Sequence, residues 1–321
     1  MFGGGYSPAT MAAVTNIRLF LTLLVTVQSV FIVADGWTAF IERRRSRREA
    51  VRVSVFVFTM AVLYFVVQLG LSSVVPDFHR LVTSLAGLLG ISRDPGAIAP
   101  GPAVIVALFA TAYVAGTLFD YLVHRFILHR WMFVLHENHH LPTTVSNLMP
   151  GIAARPFVAI PNLLINGGSA LVLLVLVRVT GRPGLTGAFE HLALPLVLVF
   201  AFIASASHSS FLRRFDAVDA IFRALAIVTP REHLVHHAAE LEGNYGNFTM
   251  IWDRLFGTYV QPPAVMPAIG LRYDQDFLGS LTGGLVKLPP AVRAYFSVDA
   301  VCRIRLDTAA TDGQNMPNHH D

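Results

Sequence analysis

The stretch AVIVALFATAYVAGTLFDYLVHRFILH, residues 103–129, runs through about twenty apolar positions and ends on two histidines, His124 and His129. That length of apolar helix crosses the hydrocarbon core of a bilayer. Ala103–Leu122 therefore predicts a membrane span, with a histidine pair just beyond its end. Working outward, three more histidine groups follow: His136-Glu137-Asn138-His139-His140, then His208 alone, then His233-Leu234-Val235-His236-His237. The pattern H-x-x-H-H occurs twice, and every group abuts an apolar stretch. Imidazole is the commonest protein ligand for transition metals. One ion rarely takes more than three or four imidazoles, so nine suffice for two ions. The sequence points to a metal site, and to a dinuclear one.

Composition agrees with a membrane setting. Apolar residues make up 54% of the 321 positions, charged residues only 14%, and mean hydropathy is +0.57. A soluble globule carries about 25% charged residues, so much of this surface faces lipid. The single cysteine, Cys302, excludes an intrachain disulfide and a cysteine metal cage. With no cysteine near the histidines, blue-copper, iron–sulfur and thiolate-zinc sites are excluded too, while iron, zinc and copper all accept nitrogen ligands. The net charge of +4 is modest and the basic residues flank apolar segments, which excludes nucleic acid as a partner.

Five stretches predict spans: Ile17–Ala34, Val53–Val75, Ala103–Leu122, Leu163–Val179 and Leu192–Phe211. The fourth is the weakest, since Pro161 and Asn166-Gly167-Gly168 interrupt it. The predicted fold is all-α, an integral membrane bundle of four to five transmembrane helices with a cytoplasmic helical cap carrying the histidines. Leu81–Ile91 is too short to cross and reads as a re-entrant or interfacial helix. The first apolar run precedes its charged end, the mark of an uncleaved span rather than a signal peptide. That charged end, Arg43-Arg44-Arg45-Ser46-Arg47-Arg48, sets the orientation, because short basic loops stay cytoplasmic. Counting crossings from there puts all nine clustered histidines on the cytoplasmic side and His79 and His191 on the other. His319 and His320 fall in a polar tail, Thr308–Asp321, that reads as disordered.

Residues at i, i+3 and i+4 share one helical face. His136, His139 and His140 fit such a face, as do His233, His236 and His237. His124 and His129 do not, since five residues of ideal helix turn them roughly 140° apart; they need a local distortion, or metals lying between helices. Asp120, one turn before His124, is placed to hold an imidazole N–H and fix its tautomer. A lone histidine such as His208 is as readily a satisfied core residue as a ligand. Six imidazoles on two faces are not, because their burial costs desolvation without return. Asn244-Tyr245-Gly246-Asn247 is turn chemistry. Trp252, Phe256 and Tyr259 lie at i, i+4 and i+7, so on a helix they form an aromatic stripe suited to an interface anchor, a lid or simple core packing. Asp253-Arg254 reads as an ion pair or as support around the site.

Two other readings compete. His136-Glu137-x-x-His140 satisfies H-E-x-x-H, the zinc-protease signature, with Glu137 as general base. Yet the second triplet has Leu234 in the glutamate position, and a protease leaves His124, His129, His139 and that triplet without a role. A non-enzymatic metal-binding or metal-transporting membrane protein is the other. An ion path needs ionisable groups along the spans, and these spans carry few.

The ordered combination Asp120-x-x-x-His124-Arg125, His129, His136-x-x-His139-His140, Thr229-Pro230-x-x-His233-x-x-His236-His237, Asn244-Tyr245-Gly246-Asn247 and Trp252–Tyr259 resembles the membrane fatty acid hydroxylase / sterol desaturase superfamily, over roughly 103–259. The resemblance implies that His124, His129, His136, His139, His140, His233, His236 and His237 bind two non-haem irons at the cytoplasmic face. It matches His208 to a further ligand and puts Ala204 where some members carry another histidine, leaving that place to water or another side chain. The implied activity is O2-dependent hydroxylation, or desaturation, of a C–H bond in a membrane lipid. No haem-binding electron-transfer domain is visible, so electrons would come from a separate ferredoxin- or cytochrome-type donor with its reductase. Residues 1–102 would then hold N-terminal spans and an outer loop, 103–262 the oxygenase core, and 263–321 a cytoplasmic C-terminal segment with its tail.

Overall fold

Helix α2 organises the computed structural model, which describes residues 26–27, 30–31, 33–35, 78–91, 101–133, 136–140, 159–238, 242–266, 286–292 and 304–305. A short helix α1 (Phe78–Leu88) precedes α2 (Pro102–Leu122), which starts behind the extended N-cap Gly101 with Pro102 in the first turn, where a missing N–H costs nothing. The backbone then widens without a break into a π-helix, Val123–Trp131. Together these form one 30-residue helix, long and apolar enough to cross a membrane.

A four-residue helix α3 (Glu137–His140) follows, then α4 (Ala159–Thr180) and α5 (Phe189–Ser207), joined by a 3-10 turn at Pro183–Ala188. The core lies between these helices: Leu108 and Ala112 of α2, Leu173, Leu174 and Val177 of α4, and Leu192 and Leu196 of α5 are all buried. The features that make α4 look weak as a span are features of its packing. Pro161 falls in the first turn, where proline is tolerated. Gly168 lies so close to the Phe119 ring that a Cβ would collide with it, and a Cβ on Gly116 of α2 would stand 2.9 Å from Ser169 Oγ. Small residues let membrane helices approach this closely. Helix α1 lays Val82 and Ala86 into the same core.

Of the predicted spans, Ala103–Leu122 coincides with α2. Shorter apolar segments, Leu164–Thr180 and Leu198–Ser207, lie within α4 and α5. The described positions between 26 and 35 are helical, while Val53–Val75 lies outside the described residues. The all-α expectation holds apart from a two-residue antiparallel ladder, β1 (Val265–Met266) with β2 (Ile304–Arg305).

Beyond α5 come a 3-10 turn at Leu212–Arg214, α6 (Asp216–Ala224), α7 (Pro230–His236) and α8 (Ile251–Leu255). Helix α6 has Asp216 and Asp219 in its first turn and Arg223 in its last, matching the helix dipole, and buries Phe222 against Ala206 and Phe31. Helix α7 starts with a capping box. Thr229 Oγ1 accepts the Glu232 N–H at 3.1 Å, and Glu232 Oε2 accepts the Thr229 N–H at 3.2 Å. The C-terminal ends of α2 and α5 and the end of the 26–35 segment meet at one end of the bundle, where α7 packs.

Candidate metal centre

At that end nine imidazoles gather in two adjoining groups that could each hold a metal ion. His124, His129, His136, His140 and His236 form one; His139, His208, His233 and His237 form the other. Within each group the potential ligand atoms lie within 4.8 Å of one another, and every ring is buried except the partly buried His129. The groups touch, with ring centroids 5.0 Å apart for His136 and His139 and 4.8 Å for His140 and His237. All nine histidines singled out from the sequence are therefore brought together, His208 included.

Each element sets its ligands by local geometry. The π-helix resolves the awkward spacing of His124 and His129. Its i→i+5 hydrogen bonding, seen in Met132 N–H to Ile127 O at 2.7 Å, stacks residues five apart, and the two rings come within 4.9 Å. On α7, His233 and His237 share a face with Nε2 atoms 3.3 Å apart, while His236 turns toward the other group. His208 is the C-cap of α5, aimed back at α7 by the end of that helix.

The ring nitrogens carry the chemical argument. His208 Nδ1 faces the Ala204 carbonyl at 2.6 Å, His124 Nδ1 the Tyr245 carbonyl at 2.5 Å, and His236 Nδ1 the Gly243 carbonyl at 3.2 Å. A carbonyl only accepts, so each Nδ1 holds the proton and each Nε2 presents a bare lone pair. Those lone pairs point at other imidazoles. His124 Nε2 lies 2.8 Å from His136 Nε2, His236 Nε2 lies 3.2 Å from His129 Nε2, and His208 Nε2 lies 2.9 Å from His233 Nε2 and 3.1 Å from His139 Nε2. Metal–imidazole bonds of about 2.1 Å would separate neighbouring ligand nitrogens by about 3.0 Å in an octahedron and about 3.4 Å in a tetrahedron. The observed separations match the edges of such polyhedra. Lone pairs inward with N–H donated outward is also how ligating histidines are held. The donor set fits a metal in each group.

Residues 109–258 match the family described as fatty acid hydroxylase. The match covers just under half of the chain, 150 of its 321 residues. Over 68 residues the chain is 41% identical to ornithine lipid hydroxylase OlsE of Rhizobium tropici, a match covering 20% of this chain and 19% of that relative. No solved structure gives a match.

The family-matched segment holds its histidines from behind with a loop that sequence reading saw only as turn chemistry. Asp253, fully buried, accepts the N–H groups of Tyr245 at 2.7 Å and Gly246 at 2.8 Å and the Thr258 hydroxyl at 2.8 Å. This presents the Tyr245 carbonyl to His124. A Cβ on Gly246 would collide with the Thr249 carbonyl, so glycine is required there. Asn244, at φ 51°, donates through Nδ2 to the Glu232 and Val260 carbonyls, both at 2.9 Å, and ties the loop to α7. Asp120, expected to hold an imidazole directly, works one step further out. Its carboxylate accepts the Asn247 N–H at 3.1 Å and side-chain amide at 2.9 Å, while the His124 Nδ1 proton goes to Tyr245.

The aromatic stripe is a correction. Helix α8 ends at Leu255 and Gly257 turns the chain at φ 71°, so Trp252, Phe256 and Tyr259 never share one helical face. They clamp separate elements. Trp252 Nε1 donates to Thr117 Oγ1 at 3.0 Å, Phe256 stacks on Tyr121 at 5.4 Å, and Tyr259 donates to Glu232 Oε1 at 2.9 Å. Asp253-Arg254 is no pair either, since Arg254 reaches Glu232 at 3.4 Å. Glu232 was missed, although Thr229-x-x-Glu232 is a capping-box pattern visible in the sequence.

Burial, and then the neighbouring imidazoles, push His236 and His237 well below the usual histidine value of 6.5. Both are neutral at physiological pH, the form that ligates metal. The H-E-x-x-H reading loses ground here. His136 and His140 do share a group, but with three further imidazoles, a fuller donor set than a two-histidine protease motif uses.

Proposed function

We propose that the protein is a multi-pass membrane oxygenase holding two non-haem irons, which uses O2 and electrons from a separate donor to hydroxylate a C–H bond of a lipid. The observation that carries this reading is the pair of adjoining imidazole groups, five and four strong, whose ring nitrogens converge to within 4.8 Å in each. The irons would supply O2 reduction and the oxidising power for C–H cleavage, one oxygen entering the lipid and the other leaving as water with two electrons and two protons. The protein's part is placement. Carbonyls of Ala204, Tyr245 and Gly243 lock three tautomers, and burial keeps His236 and His237 neutral and the centre dry.

Five spans with the centre at the cytoplasmic face remain the preferred topology, supported by the ends of α2, α5 and the 26–35 segment meeting at the site. Residues 103–262 would be the oxygenase core between the N-terminal spans and the C-terminal segment. The donor would be a ferredoxin- or cytochrome-type protein. The relative named as an ornithine lipid hydroxylase makes an amino-acid-containing lipid the first substrate class to assay. The test is lipid analysis of cells with and without the protein, alongside metal analysis of the purified chain. A lipid gaining one oxygen, with iron bound, is expected; loss of two hydrogens would mean desaturation. A zinc-only protein that cleaves peptides and is silenced by Glu137→Gln would overturn the proposal.

A further inference from the structure

The hydrogen bonds of Asp35 reach the site from outside the family-matched segment. Asp35 is 2% exposed and ends the helical segment that begins by residue 26. Its Oδ1 accepts the Ser209 hydroxyl at 2.7 Å and the Phe211 N–H at 3.1 Å, and its Oδ2 accepts the Ser210 N–H at 3.1 Å. Ser209 Oγ in turn accepts the Leu212 N–H at 3.2 Å. One carboxylate thus gathers the whole turn that begins immediately after His208. Four residues earlier on the same segment, Phe31 packs on Ala206 and lies 5.8 Å from the Phe202 ring, so the segment is fixed against the last turns of α5. Between these anchors stands His208, whose Nε2 faces His139 and His233.

We infer that Asp35 is a positioning residue for the four-histidine group: it holds the 209–211 turn, and through it the angle at which His208 leaves α5. The five-histidine group is backed by a different carboxylate, Asp253, which holds the 245–246 turn behind His124 from within the family-matched segment. The N-terminal segment is then a working part of the second half-site rather than a membrane anchor alone. Three charge-assisted bonds to one carboxylate are a strong local restraint, and groups that orient a ligand without touching the metal change metal affinity about ten- to a hundredfold. This inference rests on the metal reading above.

The test uses the full chain in detergent, titrated anaerobically with Co(II), following metal bound per chain and the ligand-field absorption, with a thermal melt as a control for folding. Wild type is expected to bind about two Co(II). Asp35→Ala should weaken one site about ten- to a hundredfold and leave the other and its spectrum unchanged. Asp35→Asn keeps one acceptor oxygen and should restore most of the affinity. In a His208→Ala background, Asp35→Ala should add no further loss, because both act on one ligand. Two wild-type-like sites in Asp35→Ala would overturn the inference. So would equal weakening of both sites, or additive loss in the double variant, since either would mark a general packing role. A wild-type chain that takes up no Co(II) would overturn the metal reading and this inference with it.

Discussion

At the residue scale, the division of labour between the two H-x-x-H-H triplets is the sharpest feature. In each triplet the middle histidine departs from its neighbours. His139 leaves His136 and His140 for the four-membered group, and His236 leaves His233 and His237 for the five-membered one. Each triplet therefore spans both groups and fixes their separation. This gives a prediction that one shared site would not. His236→Ala should lose the metal of the five-histidine group and His139→Ala that of the other. Each would lower iron from about two to about one per chain and abolish lipid oxidation. Metal analysis with Mössbauer spectroscopy would assign the surviving iron. If either variant lost both irons or kept both, the two-group assignment would be wrong. Behind the ligands a charge-assisted chain runs from Arg125 to the Tyr121 hydroxyl at 2.7 Å, to Thr258 at 2.9 Å, and on to Asp253 at 2.8 Å. Satisfied buried networks of this kind hold a ligand at one angle more firmly than packing alone.

At the element scale, the π-helix is where sequence and structure teach most. The five-residue spacing of His124 and His129 announces a distortion, because helical periodicity misaligns them. It does not say which distortion, since a kink, a break or a widened turn would all serve. A π-turn takes up one extra residue per turn, so i and i+5 in it stand much as i and i+4 do in an α-helix. Deleting the exposed Phe126 should let the segment close to α-helix and keep both ligands aligned, with metal retained. Inserting alanine after Phe126 should misalign them and empty the five-histidine group. Metal per chain decides it: loss on deletion with retention on insertion would contradict the role given to the π-turn. Other elements were legible to different depths. The capping box of α7 is written locally as Thr229-x-x-Glu232. The stripe of Trp252, Phe256 and Tyr259 misled because periodicity assumes a helix that Gly257 ends. The bond from Ser209 to Asp35 spans 174 positions, and no local pattern in the sequence announces such a pairing.

At the scale of the whole molecule, the histidines that define the site also bind its stability to pH. The long apolar helix that ends in histidines and the clustering of the nine imidazoles were readable because they depend on composition and helical period. The energetics of the assembled centre depend on burial, which only the fold reveals. His236 and His237 sit well below their unfolded value of 6.5, with burial as the main cause and adjacent imidazoles adding to it. The unfolded chain takes up protons as pH drops through 6.5, whereas the folded chain resists until much lower pH. In that window the unfolded state binds more protons, so stability rises with pH and is lost as pH falls. Asp253 acts in the opposite sense. Burial raises it above 3.8, so the folded chain holds that proton at higher pH than the unfolded chain does and gains stability as pH falls. Asp35, raised by burial in the same way, acts in that sense too; the histidines dominate near neutrality because their unfolded value lies there, whereas the carboxylates start from 3.8. The melting temperature of the metal-free protein in detergent should therefore fall from about pH 7.5 to about pH 5.5, with little change above about pH 7.5 from these groups. Bound metal should move that loss to lower pH, because it binds the neutral imidazoles of the folded chain and protons reach those nitrogens only well below 6.5. A melting temperature that held steady or rose on acidification would mean that these imidazoles are solvated, and the dry, neutral centre would not survive that result.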